Sequence, residues 1–465
     1  MKYALEELFL AFFGFLSLVF LLKKNLWHII DDNEITNSII SFYILWISGL
    51  YSSRLVSIFK LPPLLGSLLS GILLRNLPIY ELIIVENKEL LNLFYDIGLI
   101  IILIRSGITL DIKALKKYFP LCLLIGFVSI TFDIISTIGI CYKLLQFSFY
   151  ISFLYSLILS CFSPSIILPI IISLKKEKVY ESKEITTIIL TSASIMNMFC
   201  ITIFTIFVSI YFENVSSYVE MQKLLLFGIL FGITSGYGLN FIMVKIFKND
   251  KENSCFKNCI TLTVYCLLMF FGSKYYKNNI IGSVGIITFI INYMFNKKNK
   301  QDSCNEDDIF QYGWNNFIEP ILFSTMGTTL IIKQITFDVI FIALLITIIS
   351  TIAKLVGLIL IHKCTYLNCK EIIYIGFSFT SKATVQATLT SILALLIIQK
   401  NFFIEGQSNY FIDKTITTIT IISIITSIPL GYTLMTFFSY FIFKKELQST
   451  KILNDNSEIE KNSIH

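Results

Sequence analysis

Stretches of about twenty predominantly apolar residues recur from one end of this chain to the other. A helix rises about 1.5 Å per residue, so each stretch is long enough to cross a hydrocarbon layer about 30 Å thick. Of the 465 residues, 55% are hydrophobic and only 15% charged, where a soluble domain carries about 25% charge. The expected fold class is therefore an all-α polytopic membrane protein, integral and multi-pass, with the lipid bilayer as its solvent.

About fourteen spans are expected, over residues 5–22, 37–58, 62–79, 92–109, 118–142, 149–173, 185–211, 221–246, 259–273, 279–295, 310–332, 335–361, 371–398 and 414–443. An even count puts both termini on one side, and the positive-inside rule says which. Alternate loops hold Lys113, Lys116 and Lys117, then Lys175, Lys176, Lys178 and Lys183, then Lys245, Lys248, Lys251 and Lys257. The other set of loops is poorer in lysine, which places both termini in the cytoplasm. The sequon Asn214-Val215-Ser216 then falls on the external side. Glu6 and Glu7 stand where a signal peptide would be basic, so the first run reads as a retained helix. Residues 1–36 form an N-terminal helix and loop, 37–445 the transmembrane domain, and 446–465 a polar, disordered cytoplasmic tail. The tail's last residues, "EKNSIH", carry no retention signal. Plasma membrane and internal organelle both stay open.

Composition excludes several classes. Many of the ten cysteines lie inside apolar runs, among them Cys122, Cys161, Cys200 and Cys266, as buried thiols do. Cys255 and Cys259 form a lone C-x3-C, too little for a zinc site. His28, His362 and His465 lie at run ends or in the tail. No metal centre and no cofactor is implied. The net charge of +6 reads as loop lysines meeting an anionic leaflet, with no nucleic-acid partner.

Few ionisable residues fall deep within the spans. Lys382 sits in "SFTSKATVQATLTS", midway along an apolar run, where a lysine costs roughly 2.5–3.5 kcal/mol to insert. Asp133 and Lys354 are equally deep, and all three are functional candidates. Asp96, Arg105 and Glu319 lie nearer span ends and are expected to snorkel to the interface. Pro164 and Pro169 interrupt the span 149–173, and a proline opens the helix ladder. Asp133 lies 31 residues before Pro164 (164 − 133), and Lys354 lies 28 before Lys382 (382 − 354). Each reads as a helix with one charge, a short loop and a broken helix, and a further span follows. The first unit, 118–211, starts in the cytoplasm and the second, 335–443, starts outside. Units of inverted topology with broken helices are the repeat logic of secondary transporters. Asp133 and Lys354 hold equivalent positions with opposite charge, and so are placed to meet near the pseudo-twofold axis.

Four stretches in order carry a family resemblance: "KLPPLLGSLLSGILLRNLP" (Lys60–Pro78), "LIRSGITLDIKALKK" (Leu103–Lys117), "FSPSIILP" (Phe162–Pro169) and "SKATVQA" (Ser381–Ala387). They resemble the cation:proton antiporter superfamily, and within it the NHA branch of sodium/proton antiporters, over residues 40 to 440. The resemblance implies a transporter and not an enzyme. It also implies a homodimer whose protomers each hold a dimerisation region and a six-helix core that moves like an elevator. It gives Asp133 the place of an acidic residue, usually glutamate, on the first core helix. Lys354 takes the place of the basic residue, usually arginine, that pairs with it. Ser163 and Pro164 match the first helix crossover and Lys382 the second, with Thr384 and Gln386 lining it.

One departure decides the expectation. At "SASIMNMFCI" the family carries two adjacent aspartates, or Asn-Asp, and here those places hold Met196 and Asn197. Antiport needs a carboxylate that binds either a cation or a proton, and Asn197 offers a carbonyl oxygen that can help coordinate Na⁺ or K⁺ but cannot titrate. The acid expected to partner Lys382 is missing. Asp133 can take over, Lys382 can carry the proton, coupling is lost, or a subunit from another chain supplies the acid. The leading expectation is a monovalent cation (Na⁺, Li⁺ or K⁺): proton antiporter of the NHA type with non-standard coupling. The alternative is a degenerate antiporter-like subunit, regulatory or dimerising, without coupled transport. A transporter keeps a polar path through Ser163, Asn197, Thr384 and Gln386. A degenerate subunit fills it with apolar side chains, as Met196 begins to do.

Overall fold

A computed structural model describes residues 34–59, 61–78, 80, 84, 87–109, 112–163, 166–167, 170–171, 183–212, 218–246, 254–276, 279–297, 306–399 and 409–462. The first expected span, Pro164, Pro169 and the sequon at Asn214 lie outside the described residues. Among the described residues the α-helices are α1 Glu34–Ile58, α2 Pro63–Arg75, α3 Lys88–Ile108, α4 Ile112–Leu144, α5 Phe149–Ser160, α6 Lys183–Phe212, α7 Tyr218–Ile246, α8 Ser254–Tyr275, α9 Asn279–Lys297, α10 Glu306–Gly313, α11 Glu319–Thr328, α12 Phe337–Ile361, α13 Cys369–Ser378, α14 Thr384–Gln399 and α15 Asn409–Asn462, with no strand. Each expected span after the first lands on one of these helices or on a pair of them. Among the described residues, 8 helices are long and apolar enough to cross a membrane alone. Shorter apolar helices such as Phe149–Ser160 and Thr384–Ile398 are the pieces of spans that break midway. The last helix continues to Asn462, where composition predicts a tail without regular structure from 446.

The chain divides into two compact units. The first takes in the described residues up to Leu99 with Phe310–Phe337 and Ala387–Ile421. Its helices α1, α2 and α11 pack through glycines: a methyl group at Gly66 would stand 2.2 Å from the Ser52 carbonyl oxygen, and one at Gly71 only 2.0 Å from that of Ser324. Small residues let backbones touch in a membrane bundle, where lipid supplies no hydrophobic drive between helices. Between α10 and α11 the chain makes a π-turn, Trp314–Ile318. Pro320 cannot donate to the Asn316 carbonyl four residues back, and the Trp46 indole donates to it instead at 2.7 Å. Glu319 is buried and accepts the Trp314 indole N–H at 2.7 Å, and Asp96 is buried as well. Both therefore depart from the snorkelling expected of them, Glu319 because the π-turn folds an indole donor onto its carboxylate.

The second unit takes in Ile100–Ile309, Asp338–Gln386 and the described residues from Ile422. Helix α4 packs along α5 and α6, and α9 packs along α7, α8 and α6. Two of its helices stop in mid-span. Ser148 accepts the Ile151 N–H to start α5, which ends at Ser160 and leaves Cys161–Ser163 without regular structure. The Ser163 carbonyl then accepts the N–H groups of Ile166 and Ile167, so helical turns resume there. Helix α13 stops at Ser378 with no proline or glycine at the break. Hydroxyls close it: Ser378 Oγ donates to the Ile375 carbonyl at 2.6 Å and Thr380 Oγ1 to that of Phe377 at 2.8 Å. Side chains that bond back to the preceding turn compete with the helix ladder. Ser381–Ala383 lie free of regular structure, and α14 restarts at Thr384.

Candidate functional site

The two breaks meet. The Ser163 N–H donates to the Ser381 carbonyl at 3.1 Å, and the Phe162 and Phe379 rings stack with centroids 4.2 Å apart and planes 11° from parallel. The same pattern, a phenylalanine followed by a hydroxyl residue, stands at each break: Phe162-Ser163 and Phe379-Thr380. Helix α4 brings Asp133 to this crossing and α12 brings Lys354, while Lys382 lies in the second break itself. The Lys354 Nζ is 2.8 Å from Asp133 Oδ2, with both side chains 0% exposed. It also donates to the Phe379 carbonyl at 3.0 Å and lies 5.5 Å from the centroid of the Phe162 ring. The Lys382 Nζ stands 4.0 Å from the same carboxylate oxygen and donates to Ser350 Oγ at 3.2 Å. Thr137 Oγ1 donates to the other carboxylate oxygen, Asp133 Oδ1, at 3.4 Å.

Lys382 thus has an acidic neighbour after all, the carboxylate it shares with Lys354. With both lysines protonated, two ammonium groups around one carboxylate leave one positive charge in excess within a buried site. Ion pairs out of water repay their desolvation only with good geometry and further hydrogen bonds. Lys354 has both, whereas Lys382 is held by one hydroxyl and a longer ionic contact.

The remaining candidates fall into place around the trio. Asn197, on α6, accepts the Phe162 N–H at 2.8 Å and donates to the Phe162 carbonyl at 2.7 Å. Gln386, in the first turn of α14, accepts the Ala383 N–H at 2.8 Å and donates to the Cys161 carbonyl at 2.6 Å. Thr384 is buried where α14 begins. Met196 is buried with its side chain against Gly126 of α4, where a methyl group would stand 2.4 Å from Met196 Cγ. Ser350 and Thr137 were not singled out in the sequence. Each lies four residues along a helix from a charge already identified, Lys354 and Asp133, and that spacing shares a helix face. Among the described residues no group of three or more His, Cys, Asp or Glu side chains is placed to hold a metal ion.

The family model for the transmembrane sodium/hydrogen exchanger matches residues 40–439. The chain belongs to the sodium/hydrogen exchanger family. Its relatives are distant. Sodium/hydrogen exchanger 9B2 of Xenopus tropicalis is 25% identical over 393 residues, 83% of this chain and 71% of that protein. The human sodium/hydrogen exchanger 9B2 is 24% identical over 422 residues, 89% of this chain and 77% of that protein. Among solved structures, the sodium proton antiporter MjNhaP1 of Methanocaldococcus jannaschii superposes with a TM-score of 0.70 at 14% identity, over 88% of this chain and 99% of that one. That likeness is one of fold. In this exchanger Lys382 of the second break meets Asp133 and Lys354 from the neighbouring helices.

Proposed function

We propose that this exchanger moves a monovalent cation (Na⁺, Li⁺ or K⁺) against a proton by an NHA-type cycle with non-standard coupling. In this reading Asp133 is the carboxylate that faces the cation and Lys382 is the group that carries the proton. The observation that carries it is the shared carboxylate: Asp133 Oδ2 lies within reach of both lysines inside a buried crossing. A cation entering beside Asp133 adds charge to a site that already has one positive charge in excess. In a low-dielectric site that repulsion is strong, and it is relieved when Lys382 gives up its proton. A lysine shifts toward its neutral form readily when buried, whereas Lys354 is fixed by its short ion pair and by the Phe379 carbonyl. Cation and proton then exclude one another without the aspartate pair. A neutral Lys382 leaves Asp133 with Lys354 alone as its counter-charge, and the Ser350 and Thr137 hydroxyls are at hand as further oxygen ligands for the cation. The same reading makes the units 118–211 and 335–443 the moving core of a homodimer, with both termini in the cytoplasm.

A degenerate subunit without coupled transport is the second reading, and Met196 favours it, because an apolar side chain packs on Gly126 at a place for which the family resemblance implies Asp or Asn. The deciding experiment is proton flux in proteoliposomes of the purified protein, challenged in turn with Na⁺, Li⁺ and K⁺ gradients. Cation-dependent proton movement is expected. A folded protein that moves no protons under any of the three gradients would turn the assignment to the subunit.

A further inference from the structure

Five carbonyl oxygens freed at the two breaks are already occupied. Gln386 Nε2 donates to that of Cys161 at 2.6 Å, Asn197 Nδ2 to Phe162 at 2.7 Å and Lys354 Nζ to Phe379 at 3.0 Å. The Ser163 N–H takes that of Ser381 at 3.1 Å, and Ser427 Oγ that of Lys382 at 3.4 Å. The two carboxamides do more than cap. Asn197 uses its oxygen and its nitrogen on the two backbone groups of one residue, Phe162. Gln386 uses its oxygen on Ala383 in the second break and its nitrogen on Cys161 in the first. Both side chains are fully or almost fully buried, Asn197 at 1% and Gln386 at 0% exposure.

We infer that Asn197 and Gln386 are positioning residues, a pair of carboxamide clamps that hold Cys161–Ser163 and Ser381–Ala383 together so that the crossing moves as one body. Neither is a ligand of the cation. The role rests on the proposed transport reading, in which Asp133 and Lys382 do the exchange. A clamp of this kind needs one end that donates and one that accepts, which a carboxamide has and a carboxylate lacks. Asn197 is therefore the chemically demanded residue at a place where an acid would leave the Phe162 carbonyl facing a second anionic oxygen.

The test is Asn197→Asp in the full-length protein, compared with wild type by thermal melting in detergent from pH 8 to pH 5 and by Na⁺ uptake in proteoliposomes. An ionised Asp at position 197 cannot donate to Phe162. A protonated one can, since a carboxylic acid has one O–H and one C=O. The clamp thus raises the folded-state pKa of that Asp above its unfolded value. Its stabilisation is complete below the unfolded pKa and lost as pH rises through the folded one. The expected result is a melting temperature several degrees below wild type at pH 8, with the gap closing toward pH 5. Asn197→Ala, which cannot regain a donor, should show a gap that stays flat with pH. Uptake by Asn197→Asp should fall in maximal rate with no gain in apparent Na⁺ affinity. Gln386→Glu makes the same comparison at the second clamp if Asn197→Asp does not yield folded protein. Wild-type melting at pH 8 together with at least a tenfold lower KM for Na⁺ would make position 197 a ligand position and overturn the inference. A gap in Asn197→Asp that does not change with pH would overturn it as well. The melting comparison stands even if wild type moves no cation, so failure of the clamp and failure of the transport reading are told apart.

Discussion

Asp133 is the residue on which stability and exchange both turn. Its carboxylate is the counter-charge for Lys354 at 2.8 Å and the nearest acid to Lys382 at 4.0 Å. Asp133→Asn removes the charge and leaves two buried ammonium groups with no anion between them. Breaking one side of a buried pair costs about 3–5 kcal/mol, so this variant should melt well below wild type in detergent. An unchanged melting temperature would mean that the pair contributes nothing to the fold. Lys382 answers a different question. Lys382→Arg keeps the positive charge, and arginine does not release its proton in proteins. If Lys382 carries the proton, cation-driven proton flux in Lys382→Arg should fall by about 10²-fold or more, the size of effect expected when a proton-transfer group is lost. Retained flux would remove Lys382 from the proton path. These charges were legible in the sequence because a lysine or aspartate in hydrocarbon is expensive and therefore conspicuous. Their grouping was only partly legible. The span count and the inverted units placed Asp133 beside Lys354, but nothing in the sequence placed Asp133 also beside Lys382. That contact depends on how far the second break carries the lysine out of its helix.

The breaks themselves show what element-level patterns carry. Pro164 announced an interruption after α5, and the polar run after Phe379 announced one after α13, so both broken spans were readable. The means of closing α13 was less visible, since it relies on the Ser378 and Thr380 hydroxyls bonding back to carbonyls rather than on proline or glycine. The clamps were invisible as such: Asn197 and Gln386 read as path-lining polar residues, and only the folded backbone shows that their amides are spent on Phe162, Ala383 and Cys161. Helix α15 supports the second break from outside. Ser427 accepts the Lys382 N–H at 3.3 Å, and Gly431, one turn on, lies under Ser381. A methyl group at Gly431 would stand 2.3 Å from Ser381 Oγ and 3.0 Å from Thr380 Oγ1. Ser381 is fully buried, so its hydroxyl can turn away only into packed surroundings. Gly431→Ala should therefore cost about 1–3 kcal/mol, the usual toll of overpacking, and slow uptake with it. Gly139→Ala on α4 is the control, with nothing within 4 Å of the added methyl. It should be neutral or slightly stabilising, since alanine exceeds glycine in helix propensity. Equal melting temperatures for the two variants would show that the α15 contact does not hold the break.

At the level of the whole exchanger, length and hydropathy set the fold class, because lipid leaves a chain so few ways to satisfy its backbone. The resemblance read in the sequence ran from 40 to 440, and the family match over residues 40–439 agrees with it. The charge balance of the cycle is a property of no single residue, and it yields the broadest prediction. With the proton on Lys382, the trio holds two ammonium groups and one carboxylate, one positive charge in excess. With Lys382 neutral and a monovalent cation at Asp133, the trio and its ion again hold one positive charge in excess. The core would then carry the same charge across in both directions, and one cation would leave for each proton that enters. Such a cycle does not feel the membrane potential, which acts only on net charge moved, at about 2.3 kcal/mol per elementary charge per 100 mV. Exchange should therefore run at the same rate whether the proteoliposome potential is clamped at zero or made strongly negative inside, and a cation jump on a supported membrane should give no steady current. A current that grows with the cation gradient would require a second proton in the cycle. Lys354 and Asp133 are the two groups in the trio able to bind or release it, and the flux of Asp133→Asn would separate them.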